Sequence, residues 1–184
     1  MNQDWLFPTT VVGSMPRPQY VKDLVQARVS GRLSFDAFQE MMDGAVPFVI
    51  QVQEQAGIDI VSDGEWRRAS YSDSIADLCH GFRYVTRETL GEVMRVPVVV
   101  DRIAPFREGL FAREARFLKA HTRRRTKVAM PSPFLLGERL WDPDLSAGAY
   151  PTRRAFTEAL IPILRRELIH LRDAGVDIVQ FDDT

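Results

Sequence analysis

The strongest constraint in this sequence is a short internal repeat. Residues 55–61, QAGIDIV, are nearly matched by residues 173–179, DAGVDIV. Each copy is typical of a helix end, a glycine cap and a buried strand rich in β-branched residues. Acidic residues follow both copies within a few positions. The chain therefore repeats a helix-to-strand unit that leads into carboxylates.

The rest of the chain alternates strands with helices around this repeat. Runs of β-branched and apolar residues predict strands at 9–14, 58–62, 127–130 and 176–181. Apolar residues at helical spacing predict helices at 20–29, 34–56, 71–79, 110–121 and 152–174, with a helical turn at 134–141 and a loop at 142–150. Ser34 is the expected N-cap of the long second helix, and Gly57 is expected just past its end.

Three further features shape these elements. Pro47 should kink or break the second helix near Asp43 and Gly44. Pro162 should kink the last helix without ending it. Alternating residues at 82–103, around Gly91, predict a hairpin-like excursion between the strands.

Four strands that alternate with helices predict an α/β fold with a parallel sheet, because parallel neighbours need long crossovers and both sheet faces must be covered. With 184 residues, the chain is shorter than the ~250 residues of a complete (β/α)8 barrel. We expect the first half of a TIM barrel, about four βα units, with residues 1–184 as one partial barrel domain and no second domain. An open doubly wound sheet fits the same alternation, but no glycine-rich phosphate loop follows the first strand.

Composition argues against several classes of protein. The 24 basic and 25 acidic side chains leave a net charge of -1, so no long-range field attracts nucleic acid or an anionic membrane. No segment approaches the ~18 uninterrupted apolar residues of a membrane span, and the first residues lack the pattern of a signal peptide. The one cysteine, Cys79, allows no internal disulfide. We expect a cytoplasmic protein whose partners are small molecules.

Candidate binding residues follow the first, second and fourth strands. Gly13 allows close approach of the backbone to a ligand, and the Ser14 hydroxyl adds one donor and one acceptor. Such a pair also ends many ordinary strands. Glu65 follows the second strand, where it can bind an ammonium group or merely join a surface ion pair. Asp182 and Asp183 follow the fourth strand; adjacent strand residues point to opposite faces, so only one faces a shared site at the carboxyl ends of the strands.

The sequence offers no metal site. Its histidines, His80, His121 and His170, are scattered, and Cys79 has no partner at the spacing of zinc ligands. We expect Cys79 to be a small buried residue without chemistry. No catalytic residue is assigned from the sequence.

Three segments together resemble one known family. They are FPTTVVGSMPRP at 7–18, QEQAGIDIVSDGEWRR at 53–68 and LRDAGVDIVQFDDT at 171–184. In order and spacing they are similar to the catalytic barrel of cobalamin-independent methionine synthase and its shorter single-barrel relatives. The resemblance covers nearly the whole chain, with a poorly matched middle at about 82–125. Asp183 and Thr184 stand where the family commonly has Glu-Pro, which favours the shorter branch and leaves the thiol substrate open.

The resemblance implies a methyltransferase of methionine biosynthesis that binds homocysteine, methionine or a similar thiol substrate and takes its methyl group from a folate such as methyltetrahydrofolate. It implies that the backbone at Val12 and Gly13, with Ser14, holds the carboxylate of the amino acid. It also implies that Glu65 and Asp182 hold the amino group, which gives charge-assisted recognition at both ends of a zwitterion.

The same resemblance implies a zinc ion that activates the thiol. In the family this ion is held by histidine, cysteine and glutamate residues of later strands, which have no match in this chain. A metal lowers the pKa of a bound thiol, so methyl transfer without it should be very slow. We therefore expect this chain alone to be inactive.

Three interpretations remain open. The first is the N-terminal half of a zinc-dependent thiol methyltransferase, which self-associates or pairs with a complementary C-terminal half because a half barrel exposes two sheet edges. The second is a half-barrel binding or scaffold protein without catalysis. The third is chemistry like that of uroporphyrinogen decarboxylase, which calls for arginines near the first strand to hold propionates; Arg17 alone supports it.

Overall fold

Two helices open the regular structure of the chain. The computed structural model describes residues 6–89 and 92–183. Helix α1 spans Gln19–Val29 and helix α2 spans Phe35–Gln55, each within one residue of the predicted ends. Ser34 caps α2 as predicted, because its hydroxyl accepts a hydrogen bond from the N–H three residues later.

Of the kink or break predicted in α2, the break is absent, while the kink stays a prediction. Pro47 lies inside the helix, which continues through Asp43–Gly44 without interruption. A proline removes one backbone hydrogen bond, whereas α2 buries a whole face that includes Phe38, Met42 and Ile50. Each such side chain contributes about 1.5–3 kcal/mol on burial, so packing outweighs the lost hydrogen bond.

The other predicted elements, except the first strand, are present with shifted ends. In chain order they are β1 (Ile60–Val61), α3 (Tyr71–Ala76), β2 (Cys79–Thr89), β3 (Glu92–Pro105), α4 (Leu110–Ala120), β4 (Arg125–Pro131), α5 (Pro133–Leu140), α6 (Arg153–Asp173) and β5 (Ile178–Asp182). In the described parts of the chain, every helix is too short or too polar to cross a lipid bilayer.

The described residues pack into two compact units. The first comprises residues up to 69, 111–129 and 171–180, and the second comprises residues 70–110, 130–170 and 181 onward. In the first unit, α1 and α2 pack around a core that joins Val21 of α1, Val46 of α2, Trp66 and Leu118 of α4.

Most of a three-stranded parallel sheet belongs to the first unit. Its order is β1-β4-β5, which is the order of these strands along the chain. β1 pairs with β4 in parallel. Thr126, near the start of β4, contacts Asp177, which precedes β5. Ser132, which follows β4, contacts Asp182 at the end of β5. β4 and β5 therefore also run in the same direction.

The strand predicted at 9–14 is wrong in extent. Only Thr10 makes a bridge, in parallel, to Ile60 of β1. Beyond it, the carbonyl of Val11 accepts a hydrogen bond from the Lys127 ammonium at 2.5 Å. Because a side chain takes the place of a neighbouring strand there, the ladder stops although the residues are β-branched.

The two copies of the sequence repeat make the same contact. Asp59 Oδ2 accepts hydrogen bonds from the N–H and hydroxyl of Thr9 at 2.8 and 2.7 Å. Asp177 Oδ2 accepts the same pair from Thr126, both at 2.8 Å. The Thr9 hydrogen bonds hold the pKa of Asp59 below its usual value. Burial acts to raise the pKa of Asp177, but its hydrogen bonds with Thr126 and Lys119 bring it below the usual value.

The second unit contains the predicted hairpin, which β2 and β3 form as an antiparallel pair. Its predicted turn at Gly91 lies outside the described residues. An irregularity follows His80, at Gly81, whose φ is +101° and whose added Cβ would lie 2.9 Å from the Asp101 carbonyl oxygen. Only glycine fits this position without a shift of the backbone.

Helices of the second unit pack against this hairpin. Phe82 meets Phe156 of α6 edge to face, with ring centroids 6.3 Å apart. The Ile103 N–H donates to the Tyr150 hydroxyl at 2.9 Å, which ties the predicted loop at 142–150 to β3. α6 runs through Pro162 without a break, as predicted.

The variant Asp177→Asn tests the repeated contact. Because the pKa of Asp177 is lowered in the folded state, its carboxylate stabilises the fold above about pH 4 and loses that effect as the pH falls further. We expect the variant to lose less than about 1 kcal/mol near pH 7, since 36% of the side chain is exposed and solvent screens it. It should then lose less further stability than wild type on acidification, as followed by urea unfolding at several pH values.

Asp173→Asn is the matched control, because Asp173 is 58% exposed and pairs with the adjacent Arg172. It should reproduce the acid profile of wild type. An Asp177→Asn protein whose stability also falls with acid as wild type does would contradict this account of the contact.

Candidate functional site

Two loops meet in the first unit, residues 11–18 (the first loop) and residues 62–68 (the second loop). The Ser14 hydroxyl donates to Glu65 Oε2 at 2.9 Å. Beside it, the Met15 N–H donates to the Gly64 carbonyl at 3.0 Å. The structure thus brings Ser14 and Glu65 together, while their role in binding stays a prediction.

Val12 and Gly13 offer their backbone rather than side chains. Val12 is 79% exposed, and Gly13 has φ +74° with open space where a Cβ would stand. In the described chain, neither of their N–H groups donates to another protein atom. Two free backbone donors therefore lie next to the Ser14 hydroxyl, which suits a bound carboxylate.

Asp182 ends β5 and belongs to the second unit. Its carbonyl accepts the Ser132 N–H at 2.9 Å, and the Ser132 hydroxyl donates to Asp183 Oδ1 at 2.5 Å. The structure therefore places Asp182 beside the N-cap of α5, and Thr184 lies outside the described residues. The predicted convergence of Asp182 with Ser14 and Glu65 stays a prediction.

A buried ion pair supports the second loop. Arg68 donates to Glu114 Oε2 at 2.5 Å, and the two side chains are 7% and 4% exposed. The other guanidinium NH2 group of Arg68 donates to the Ala129 carbonyl of β4 at 2.6 Å. Burial acts to lower the pKa of Arg68, but Glu114, Asp63 and Glu65 raise it above its usual value, so the guanidinium stays charged.

The sequence does not single out this pair, although it carries one signal for it. Glu114 stands on the apolar face of α4, between Phe111 and Leu118, and is 3% exposed. A carboxylate on the buried face of an amphipathic helix requires a buried partner. The sequence alone does not say which of the chain's arginines that partner is.

The Arg17 guanidinium also contacts the second loop. It donates from one nitrogen to the carbonyls of Glu65 and Arg68, at 2.8 and 2.7 Å. Burial lowers the pKa of Arg17, against the opposing effect of Glu65 and Asp63. A guanidinium held by backbone carbonyls gives no support to the uroporphyrinogen decarboxylase-like alternative, which needs it for propionates.

The described residues do not fit a zinc ion. Within residues 6–89 and 92–183, no three His, Cys, Asp or Glu side chains come together in an arrangement suited to a metal. Burial, with a smaller effect of Glu167, raises the pKa of Cys79 to about 12, which disfavours the thiolate that zinc binds. His80 packs on Phe106 with ring centroids 4.4 Å apart.

The chain is similar to known proteins of one family. Residues 7–184 match the family described as cobalamin-independent synthase, catalytic domain. A curated methionine synthase of Saccharolobus solfataricus is 29% identical over 181 residues, covering 97% of this chain and 53% of that protein. A methionine synthase of Sulfolobus acidocaldarius is 26% identical over 181 residues, covering 97% and 52%.

A solved structure is similar as well. A B12-independent methionine synthase from Shewanella sp. W3-18-1, in complex with selenomethionine, superimposes with a TM-score of 0.77 at 28% identity. The match covers 97% of this chain and 52% of that one. The chain therefore spans about half the length of the relatives it matches.

The variant Arg68→Met tests the support of the second loop. Removing the guanidinium leaves Glu114 as a buried charge without its partner, which typically costs about 3–5 kcal/mol. We expect a loss of that size in the free energy of unfolding, measured by urea denaturation.

Arg113→Met is the control, because Arg113 lies 3.6 Å from Asp43 with both side chains more than a third exposed. Its loss should stay below about 1 kcal/mol. Equal losses in the two variants would contradict a special role for the buried pair.

Proposed function

Because this chain belongs to the family of cobalamin-independent synthase catalytic domains, we propose that it binds homocysteine, methionine or a similar thiol-derived amino acid, as part of a methyltransferase of methionine biosynthesis. The observation that carries the proposal is the hydrogen bond between Ser14 Oγ and Glu65 Oε2, 2.9 Å long. A similar protein was solved in complex with selenomethionine, which is an amino acid of the proposed class.

The two loops have the chemistry that a zwitterion requires. Among the described residues, the N–H groups of Val12 and Gly13 have no protein acceptor, so both can donate to the carboxylate of the ligand. Glu65 uses Oε2 to accept the Ser14 hydrogen bond, so Oε1 is left for the ammonium group. Charged hydrogen bonds at both ends of the ligand fix its orientation as well as its affinity. The family resemblance adds Asp182 to the proposed binding site.

We further propose that the sheet is the first half of a (β/α)8 barrel. Support comes from the order of Thr10, β1, β4 and β5, which follows the chain, and from their common direction. Within the described chain, β5 lies at an edge of its sheet. An edge strand presents unpaired backbone groups, so a second copy or a complementary C-terminal half can add strands there. The family implies a zinc ion and a folate methyl donor, for which the residues described here supply no site.

Isothermal titration with methionine tests the binding proposal. We expect wild type to bind and both Ser14→Ala and Glu65→Gln to weaken binding about tenfold. Ser14→Ala removes a hydrogen bond to a charged group, and Glu65→Gln removes the charge that would face the ammonium group. Glu40→Gln, an exposed glutamate of α2, is the control and should bind as wild type does. Unchanged affinity in both site variants would remove the site assignment.

The same titration separates the methyltransferase proposal from the scaffold alternative. With a complementary C-terminal half added to supply zinc ligands, homocysteine binding that strengthens with Zn2+ favours the enzyme, because the metal holds the thiolate. Binding that ignores Zn2+ in that mixture, together with an absence of methyl transfer from a folate donor, favours a binding protein without catalysis.

Size-exclusion chromatography with light scattering tests the edge of the sheet. We expect the mass of the wild-type chain to rise with concentration as edge strands pair. Phe181→Lys, at a β5 side chain that is 45% exposed, should reduce this association, because a charge on an edge strand opposes pairing. Phe134→Lys, on α5 and 59% exposed, is the control. A wild-type chain that stays monomeric at every concentration contradicts the half-barrel proposal.

A further inference from the structure

Glu65 has an unusual backbone conformation. Its φ is +57°, a left-handed value that costs free energy in any residue with a Cβ atom. The preceding Gly64 is also left-handed, at φ +66°, and an added Cβ there would lie 2.9 Å from a methyl group of Val49. A strained residue persists only where its surroundings hold it, and such residues concentrate at functional sites.

Three side chains of the first unit hold Glu65. Asp63 Oδ1 accepts the Glu65 N–H at 2.9 Å. Arg17 donates to the Glu65 carbonyl at 2.8 Å. Ser14 donates to its carboxylate at 2.9 Å. The N–H group, the carbonyl and the side chain of one strained residue are therefore all fixed from outside.

We propose that Asp63 and Arg17 are positioning residues, which lock the Glu65 peptide in its left-handed conformation so that its carboxylate faces the ammonium group of an amino acid. This inference rests on the proposed function and deepens it. The site then depends on two residues that contact Glu65 and not the ligand.

Burying the Asp63 carboxylate and the Arg17 guanidinium costs free energy, which supports a role for them beyond stability. Asp63 is 6% exposed, and its second oxygen, Oδ2, has no hydrogen-bond partner within the described chain. The Nε atom of Arg17 is buried without a partner as well. A neutral side chain such as asparagine offers the same acceptor to the Glu65 N–H with less desolvation. A buried carboxylate instead adds negative charge beside Arg17, acts to raise the pKa of that guanidinium, and so keeps Arg17 charged while it holds the Glu65 carbonyl.

A double-mutant cycle distinguishes positioning from a general loss of structure. Asp63→Ala and Arg17→Met should each weaken methionine binding about tenfold by titration calorimetry, the factor expected for a lost hydrogen bond. In a Glu65→Ala background the same changes should have less than about a twofold further effect, because they act through Glu65. Equal weakening in both backgrounds would overturn the inference.

Amide hydrogen exchange supplies a readout that needs no ligand. In Asp63→Ala the Glu65 N–H should exchange about tenfold faster than in wild type, because its acceptor is gone. Asp23→Ala, an exposed residue of α1, is the control and should leave this exchange unchanged. An unchanged exchange rate of the Glu65 amide in Asp63→Ala would overturn the positioning role even where methionine binds.

The two readouts also separate this inference from the proposed function. If wild type binds methionine and the double-mutant cycle gives the expected result, an unaffected Glu65 amide overturns only the positioning role of Asp63 and Arg17. Faster exchange in Asp63→Ala, combined with a wild type that does not bind methionine, removes the proposed function and reduces their contacts with Glu65 to a structural device, which overturns the positioning role.

Discussion

Contact between the first and second loops is the constraint on which the site depends. The Ser14–Glu65 hydrogen bond is solvent-exposed, and such a bond contributes about 1 kcal/mol at most. Stronger support lies beneath it, where Trp66, 1% exposed, donates from its ring nitrogen to the Met15 carbonyl at 3.3 Å. Burial of this ring anchors both loops, so the exposed residues above it keep their positions.

Ion pairs also hold the second loop in place. Arg68 and Glu114 form a buried pair that joins the loop to α4, and Arg67 donates to Asp43 of α2 at 2.6 Å. Consecutive arginines thus fasten the second loop to two different helices. The Arg68–Glu114 pair is buried on both sides, so losing either partner would leave an uncompensated buried charge. Fastened in this way, the second loop can hold Glu65, one of its own residues, in a strained conformation.

Much of the fold was predictable because it follows local periodicity. α1, α2, α6 and the antiparallel hairpin agree with the predictions, since long amphipathic patterns and alternating strands depend on neighbouring residues. Pro47 does not break α2, because buried packing along the whole helix outweighs one lost hydrogen bond. The strand predicted at 9–14 is reduced to one bridge at Thr10, because Lys127 occupies the next carbonyl.

The candidate site was predictable only in outline. The repeat and the family motifs indicated Ser14 and Glu65, which the structure brings together. The Arg68–Glu114 pair joins residues 46 positions apart, and the left-handed Glu65 is held by Ser14 and Arg17, which are distant in sequence, as well as by the nearby Asp63. No local pattern encodes such pairings, so they required the folded chain.

The central claim is that the two loops form one cradle for an amino acid. Nuclear magnetic resonance of the 15N-labelled chain, titrated with methionine, tests it most directly. The amide signals of Val12, Gly13 and Glu65 should move together with one binding constant. Methionine-dependent shifts confined to other parts of the chain, or no shifts at all, would contradict the account.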